Sequence, residues 1–587
     1  MGWAYHFIDL TQVQLHQRRQ LLDWYGIVAQ ISILIPLALL QLSFLGFWVW
    51  HKLQSRPDGT VPSSPHAKHQ HNSSNLASVS VYLRRLQWWF GDDVSLFGWH
   101  VGTKGEIVLA ELWTFWLLLC CFLQTGDDYL HLTKRFGIVA SSQLPLQYLL
   151  AMKFPYSPIS FFTRRSHESL NSAHQILGRI VTALLYLHTA FYLNFYVQKH
   201  LLPAKLKEAY VICGIVGAVA FTIVGTTALA PVRRWSYRLF YVLHVSLSTA
   251  LLPILWFHVH HVRPYLIETA VIVIINAGLR WWATISCQAN IRFLEGTALL
   301  DIRLTIDTPH KERKLTTWQP GQHAYLSTKG HPILRAFASN PFTLASLPTE
   351  DGQLRFVARV MDGNTAKLAR SIDLSPQISI EGPYGLRSHP YQLLHYDRVL
   401  FVAGGIGATF VVPLYRQLLS DLSPGKGSYR RQKVTLVWVA RHLSEITWAF
   451  PEGSNERDGF LERLEIYLTK DADIDARGPQ HAQSPRAEND PQIGELEDGI
   501  ELEEQKQLLD NSDNPANSAP DPLPTRIAKG RPRLERIVWQ TFSHGPCEKV
   551  AVIACGPPSL NQNLRHELKT WVEKGRDVWF WSENFSL

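Results

Sequence analysis

Apolar and polar positions divide the chain into two unlike halves. In the first, apolar runs long enough to cross a bilayer are separated by short polar loops. In the second, short β-branched runs alternate with turns rich in Gly, Pro and Asn. Seven runs predict transmembrane helices, at 26–50, 106–124, 136–153, 174–198, 208–230, 236–259 and 265–284, the third interrupted by Ser141, Ser142, Gln143 and Pro145. An odd number of spans puts the termini on opposite sides. Loops holding Arg84 and Arg85, Arg164 and Arg165, and Arg233, Arg234 and Arg238 share one side, which the positive-inside rule makes cytosolic. Lys134, Arg135, Lys199, Lys205 and Lys207 fall on the other, so the bias is a majority. The soluble half is then cytosolic, and the sequon at Asn72 lies in an inside loop and is predicted to be unmodified. The first residues lack the basic-then-apolar order of a cleaved signal.

Two of these spans carry histidines at one spacing. HQILGRIVTALLYLH runs from His174 to His188 and HVSLSTALLPILWFH from His244 to His258, the histidines fourteen residues apart in each case. At about 100° per residue, each pair lies within roughly 40° of one helix face and about 21 Å apart along the axis. A single intramembrane histidine is a hydrogen-bonded core residue, a proton relay or a metal ligand. The joint pattern is narrower. If both helices start on the cytosolic side they run parallel, and His174 meets His244 while His188 meets His258. Each meeting offers two imidazole nitrogens across a gap, which is what bis-histidine haem ligation requires. His167, His200, His260 and His261 lack partners at matching depth and read as loop or interface residues, while Arg179 suits either a haem propionate or a snorkelling position.

The soluble half carries short strands at 321–327 (GQHAYLS) and 353–360 (QLRFVARV), as in a small antiparallel barrel, with ASNPFTLAS at 338–346 and EGPYG at 381–385. RVLFVAGGIGATFVVPLYRQLL, 398–419, reads as strand, glycine turn and helix. Gly404, Gly405 and Gly407 would let a pyrophosphate approach the helix N-terminus. Two further strands end at Arg441 and at Cys555-Gly556-Pro557, both at the carboxyl edge of a doubly wound sheet. Arg441 fits the extra phosphate of NADPH or a strand cap.

Composition adds exclusions. The net charge of +8 comes from basic residues scattered among short loops, which argues against nucleic-acid binding. The six cysteines show neither metal-ligand nor disulfide spacing. Residues 470–534, polar with an acidic run from Glu488 to Glu504 and then KGRPR, read as a disordered insertion.

The four histidines, NPFTLAS, the GGIGAT turn, the CGP turn and the closing ENF occur in one order, and in that combination the chain resembles the fungal ferric reductase family, within the ferric reductase and NADPH oxidase superfamily of flavocytochromes b. The resemblance implies a multidomain membrane protein: an all-α transmembrane haem bundle, then a ferredoxin-reductase-like module with an antiparallel β-barrel FAD domain and an α/β doubly wound NADPH domain. The expected boundaries are 1–105 for the N-terminal region, 106–286 for the haem bundle, 287–394 for the FAD barrel and 395–587 for the NADPH domain. It assigns Asn340, Pro341, Phe342 and Thr343 to flavin binding, with Asn340 where relatives carry His. Gly404, Gly405, Gly407 and Thr409 fall to the pyrophosphate, Cys555, Gly556 and Pro557 to the nicotinamide, and Phe585 to the flavin face.

The implied cofactors are FAD and two b-type haems, with NADPH as donor. Ferric chelates, siderophores or cupric ion are the implied acceptors, reduced at the outer side of the plasma membrane in support of metal uptake. The alternatives are a superoxide-producing NADPH oxidase and a silent membrane scaffold. The lipid bilayer is the one partner the sequence requires; a permease or a second copy of the chain is left open.

Overall fold

The computed structural model describes residues 5–583 except 55–74, 97–98, 154–156, 306–317, 329–334, 336, 348–350, 362, 373–375, 386–391, 424–431, 451–462, 471–526 and 546–547. Among the described residues thirteen α-helices precede the large sheets: α1 (Gln12–Ile31), α2 (Leu34–Gln54), α3 (Asn75–Phe90), α4 (Lys104–Phe122), α5 (Tyr129–Ser142), α6 (Leu144–Ala151), α7 (Pro158–Thr163), α8 (His167–Gln198), α9 (Leu202–Lys205), α10 (Ala209–Thr227), α11 (Ala230–Trp235), α12 (Tyr237–His258) and α13 (Arg263–Ala283). A hairpin, β1 (Asp93–Leu96) and β2 (Trp99–Thr103), lies between α3 and α4. Among the described residues six helical stretches are long and apolar enough to cross a membrane: 12–46, 104–122, 167–198, 209–227, 237–258 and 260–283.

Two expected spans differ. The first begins at Gln12 and not near 26, because Thr11 forms a capping box with Gln14 and so starts the helix early. The third, expected as one run at 136–153, is the two helices α5 and α6. They meet at Gln143, and Pro145 sits in the first turn of α6, where its missing N–H costs no helical bond. The hydroxyl of Ser142 donates to the Val139 carbonyl at 2.8 Å and accepts from Gln143 Nε2 at 3.2 Å, so the polar break is satisfied inside the bundle. Arg135, counted above with the outer loops, is instead buried inside α5. It donates to the Cys120 carbonyl at 3.0 Å, lies 3.2 Å from His131 Nε2 and stacks over Tyr25 at 3.9 Å. Arg18 of α1 pairs with Asp128 at 2.9 Å, and the same carboxylate caps α5.

The chain leaves α13 directly into a six-stranded antiparallel sheet, ordered β6 (Asn340–Thr343), β5 (His323–Ser327), β8 (Gln377–Tyr384), β3 (Thr284–Phe293), β4 (Leu299–Thr305), β7 (Leu354–Arg359). A bridge from Leu344 to Phe356 brings the two edges together, so the sheet is a nearly closed barrel. Asp301, fully buried on β4, accepts from Arg355 at 2.7 Å and from Arg292 and Arg303 at 3.0 Å.

A six-stranded parallel sheet follows, ordered β12 (Ile527–Lys529), β11 (Leu464–Leu468), β10 (Lys433–Ala440), β9 (Arg398–Gly404), β13 (Val550–Cys555), β14 (Val578–Glu583). It is covered by the helices Ala408–Asp421, Leu534–Phe542 and Pro558–Glu573. Strand order reverses between β9 and β13, the switch point at which such sheets open a crevice. The expected insertion is shorter at its far end: residues 527–529 add an edge strand and 534 starts a helix, while 471–526 lie outside the described residues. Barrel and parallel sheet share one core in which Leu299, Ala345 and Val357 pack with Phe401 and Phe410. Asp351 with Arg416 at 2.8 Å and Arg359 with Glu445 at 2.9 Å add ion pairs across the join.

Removing a partner from a buried ionic cluster leaves uncompensated charge. Asp301→Asn should therefore lower stability by about 3–5 kcal/mol, read as a lower thermal midpoint in the detergent-solubilised protein.

Candidate functional site

Helices α8 and α12 run parallel with their histidines level. The His174 and His244 rings lie 6.2 Å apart between centroids, and those of His188 and His258 6.4 Å. Three of the four rings turn Nδ1 onto a backbone carbonyl of a flanking helix. His188 Nδ1 lies 2.8 Å from the Thr133 oxygen, His174 Nδ1 3.0 Å from that of Gln147, and His258 Nδ1 2.7 Å from that of Tyr210. An Nδ1–H held by a carbonyl leaves Nε2 as the unprotonated nitrogen, the tautomer a metal ligand needs. His244 Nδ1 is buried with no hydrogen-bond partner among the described residues, and the Val224 carbonyl faces it.

Two glycines make room for this. A Cβ at Gly137 would stand 2.7 Å from the His188 ring, and one at Gly214 2.6 Å from that of His258. Each glycine sits one turn beyond the carbonyl its histidine uses, so the ring lies flat across that turn. Neither glycine is singled out by sequence, because glycine is common in membrane helices. Arg179 is exposed, and His261 pairs with Asp23 at 3.2 Å, away from the four rings.

The barrel docks against the His174 end. Phe337 lies 6.0 Å from Tyr241 of α12, and Phe240 lies 5.2 Å from His244. Beside it, Glu381 of β8 accepts from Arg280 of α13 at 2.6 and 3.1 Å and from the Tyr384 hydroxyl at 2.6 Å. Burial would raise this carboxyl, yet Arg280 and the Lys153 ammonium hold it below its usual range. Lys153 also lies 3.3 Å over the Tyr325 ring, and His323 Nε2 is 3.3 Å from Glu168 at the start of α8. EGPYG contains Glu381 and Tyr384, but no motif announces Lys153, Glu168 or Arg280, whose contacts with the barrel join distant segments. Asn340, Pro341, Phe342 and Thr343 form edge strand β6, with Asn340 Oδ1 accepting from Asn364 at 3.0 Å. Its side chains at Asn340 and Phe342 are half open, as a flat ring lying alongside would require.

At the carboxyl edge of the parallel sheet, Gly404, Gly405, Gly407 and Thr409 meet Cys555, Gly556 and Pro557. A Cβ at Gly404 would stand 2.8 Å from Pro557, and one at Gly407 would collide with the Cys555 carbonyl. Gly405 has φ +55° and open space beyond it, so its backbone face is free for an anion. Thr409 turns its hydroxyl onto the Ile406 carbonyl at 2.9 Å. Glu583, opposite Cys555 on β14, is pushed up to about 7 by burial, and burial also raises the Cys555 thiol. Phe585 lies outside the described residues.

Arg441 lines a cavity of about 350 Å³ with Thr469, Lys470, Gly530 and Arg531. Lys470 and Arg531 follow β11 and β12, so three successive strand ends each deliver a cation. Sequence reasoning placed both inside the insertion and missed them.

Three family models match: a ferric reductase like transmembrane component over 136–255, an FAD-binding domain over 297–388 and a ferric reductase NAD binding domain over 396–569. Among curated proteins the chain is 23% identical to the "Probable metalloreductase AIM14" of Meyerozyma guilliermondii, covering 76% of this chain and 83% of that protein. It is 26% identical to the "Probable cell surface ferric reductase kap2" of Aspergillus oryzae, over 66% of this chain and 56% of that one. It is 21% identical to "Ferric/cupric reductase transmembrane component 2" of Schizosaccharomyces pombe, over 76% and 79%. With the transmembrane, flavin and nucleotide domains matched in this order, the chain belongs to the fungal ferric reductase family.

Proposed function

We propose that this chain carries electrons across a membrane from cytosolic NADPH to ferric iron, its chelates or cupric ion on the outer side. The observation that carries the reading is the pair of facing imidazoles at each of two depths. With metal–nitrogen bonds of about 2 Å, two rings gripping one metal from opposite sides have centroids about 6 Å apart, and the two separations are 6.2 and 6.4 Å. Among the described residues no three His, Cys, Asp or Glu side chains cluster, so each pair fits a metal whose remaining ligands come with it, as in a porphyrin. FAD, when bound, takes an electron pair as hydride and releases it singly, and haem, when bound, accepts one electron at a time.

The chain's own groups do the positioning. His174 with His244 would hold the haem nearer the barrel, and His188 with His258 the farther one, with Nδ1 of His174, His188 and His258 engaged by backbone carbonyls. Asn340, Pro341, Phe342 and Thr343 would hold the flavin on the barrel edge, and Phe585 would cover it. Gly404, Gly405, Gly407 and Thr409 would take the pyrophosphate, and Cys555, Gly556 and Pro557 the nicotinamide. Arg441, Lys470 and Arg531 suit the 2′-phosphate, a dianion that cations at three strand ends can neutralise. Helices long and apolar enough to cross a membrane support transfer across it, and the names of relatives support ferric and cupric species as acceptors.

His188→Ala should remove about half of the dithionite-reduced b-type haem spectrum and abolish ferric-chelate reduction by intact cells. Gly214→Leu should cause the same spectral loss by filling the ring's place. A spectrum unchanged in both variants overturns the assignment. Replacing Arg441, Lys470 or Arg531 with Ala should raise KM for NADPH roughly ten- to a hundredfold, with little change for NADH, measured as flavin bleaching.

A further inference from the structure

The segment between the first two spans does more than connect them. On α3, Trp88 is 8% exposed, packed in the core of the parallel-sheet domain with Leu564, Leu568 and Val578 and lying 6.1 Å from Phe580. Arg565 of the Pro558–Glu573 helix lies over the Trp88 ring at 4.6 Å and donates to its carbonyl at 2.8 Å. That arginine fits because residue 91 is glycine: a Cβ there would lie 3.1 Å from the guanidinium carbon. Arg84 pairs with Asp577 at 2.7 Å, and Arg85 reaches the Glu573 carbonyl at the same helix's C-terminus. Asp92 then joins two bodies, binding Lys569 of that helix at 2.9 Å and Lys104, the first residue of span α4, at 3.2 Å. Thr103 and Glu106 fix the start of α4 with a reciprocal capping box, so Lys104 stands on a rigid base.

This attachment is distant in the fold from the contact between barrel and bundle at Arg280 and Glu381, and it grips the other soluble domain. One attachment leaves a module free to pivot; two on different domains do not. Because barrel and parallel sheet share a core, the second attachment adds nothing to how nicotinamide meets flavin. What it fixes is the position of the whole module against the bundle.

We propose that Trp88 and Asp92 are positioning residues for the flavin-to-haem step: the α3 and hairpin segment clamps the nucleotide domain so that the module presents its flavin edge to the His174 and His244 pair. The proposal rests on the electron route above for its kinetic readout, and amide exchange reads the clamp without it.

The test uses purified full-length holoenzyme mixed anaerobically with NADPH, following flavin bleaching and haem reduction in one trace. Asp92→Lys and Trp88→Ala should leave flavin bleaching within about twofold of the wild type and slow haem reduction roughly tenfold or more, since displacing a reacting pair by about an ångström can cost about a hundredfold. Adding Lys569→Asp to Asp92→Lys should recover part of that loss, since the pair with Lys104 stays broken, and amide exchange over 558–573 should rise in each single variant. Haem reduction that keeps pace in both single variants overturns the proposal, as does an equal slowing of flavin bleaching, which would put the effect at the hydride step or on folding. If the wild type shows no haem, the electron route fails, and unchanged exchange over 558–573 in Asp92→Lys and Trp88→Ala then overturns the clamp on its own.

Discussion

Four backbone carbonyls, spaced to match four histidines, are what the membrane half is organised around. Thr133 and Gln147 face His188 and His174, and Tyr210 and Val224 face His258 and His244. Each set of carbonyls is itself fourteen residues apart, the spacing of the histidines they face. A helix carbonyl already accepting from the N–H four residues on has a second lone pair to offer, but only a side chain that can lie flat on the turn reaches it. Gly137 and Gly214 make that approach possible at the end farther from the barrel. The tautomers of His174, His188 and His258 are thus set by the fold, and bundle packing that holds α5, α6 and α10 in place also orients these rings.

The join to the soluble half obeys a harsher rule. Glu381 is 3% exposed, and a carboxylate so far from water is tolerated only when its oxygens are fully engaged. Arg280 binds it with two bonds, Tyr384 with a third, and Lys153 stands 4.0 Å away. Of these, Arg280 and Lys153 belong to the membrane half and Tyr384 to the barrel. The cluster is complete only when the halves meet in one register, because separation would leave Glu381 with its hydroxyl partner alone. Such an arrangement contributes less to net stability than to specificity of docking.

The features visible in the sequence were those whose physics is local. Helix length, histidine spacing, the glycine turn after β9 and the strand ends at Arg441 and Cys555 each follow from neighbours a few residues away, and the three-part fold was readable from them. The third span was misread as one helix because Gln143 and Pro145 look alike in a poor helix and in a satisfied break. Arg135 looked like a loop cation because nothing nearby in sequence announces Tyr25 or the Cys120 carbonyl. Lys470 and Arg531 were hidden by their surroundings: one ends and the other follows a long polar segment whose composition spoke for disorder, yet residues 527–529 pair with β11 and bring Arg531 to the cavity. Trp88 and Asp92 were out of reach for another reason, since their partners in the nucleotide domain lie more than four hundred residues away.

The proposed route also accounts for what the sequence never revealed, a binding motif for the acceptor. A metal held by imidazoles on both faces would have no vacant position, so the acceptor would need no protein-built coordination site at it. Selection among chelates then falls to surface groups near His188 and His258 and to the charge around them, not to a set of ligands at fixed spacing. Exposed positions in short loops can vary such groups without disturbing the helices beneath. The conductor must keep its spacing to conduct, while the surface that chooses the acceptor is free of that constraint, and a motif search finds only the first.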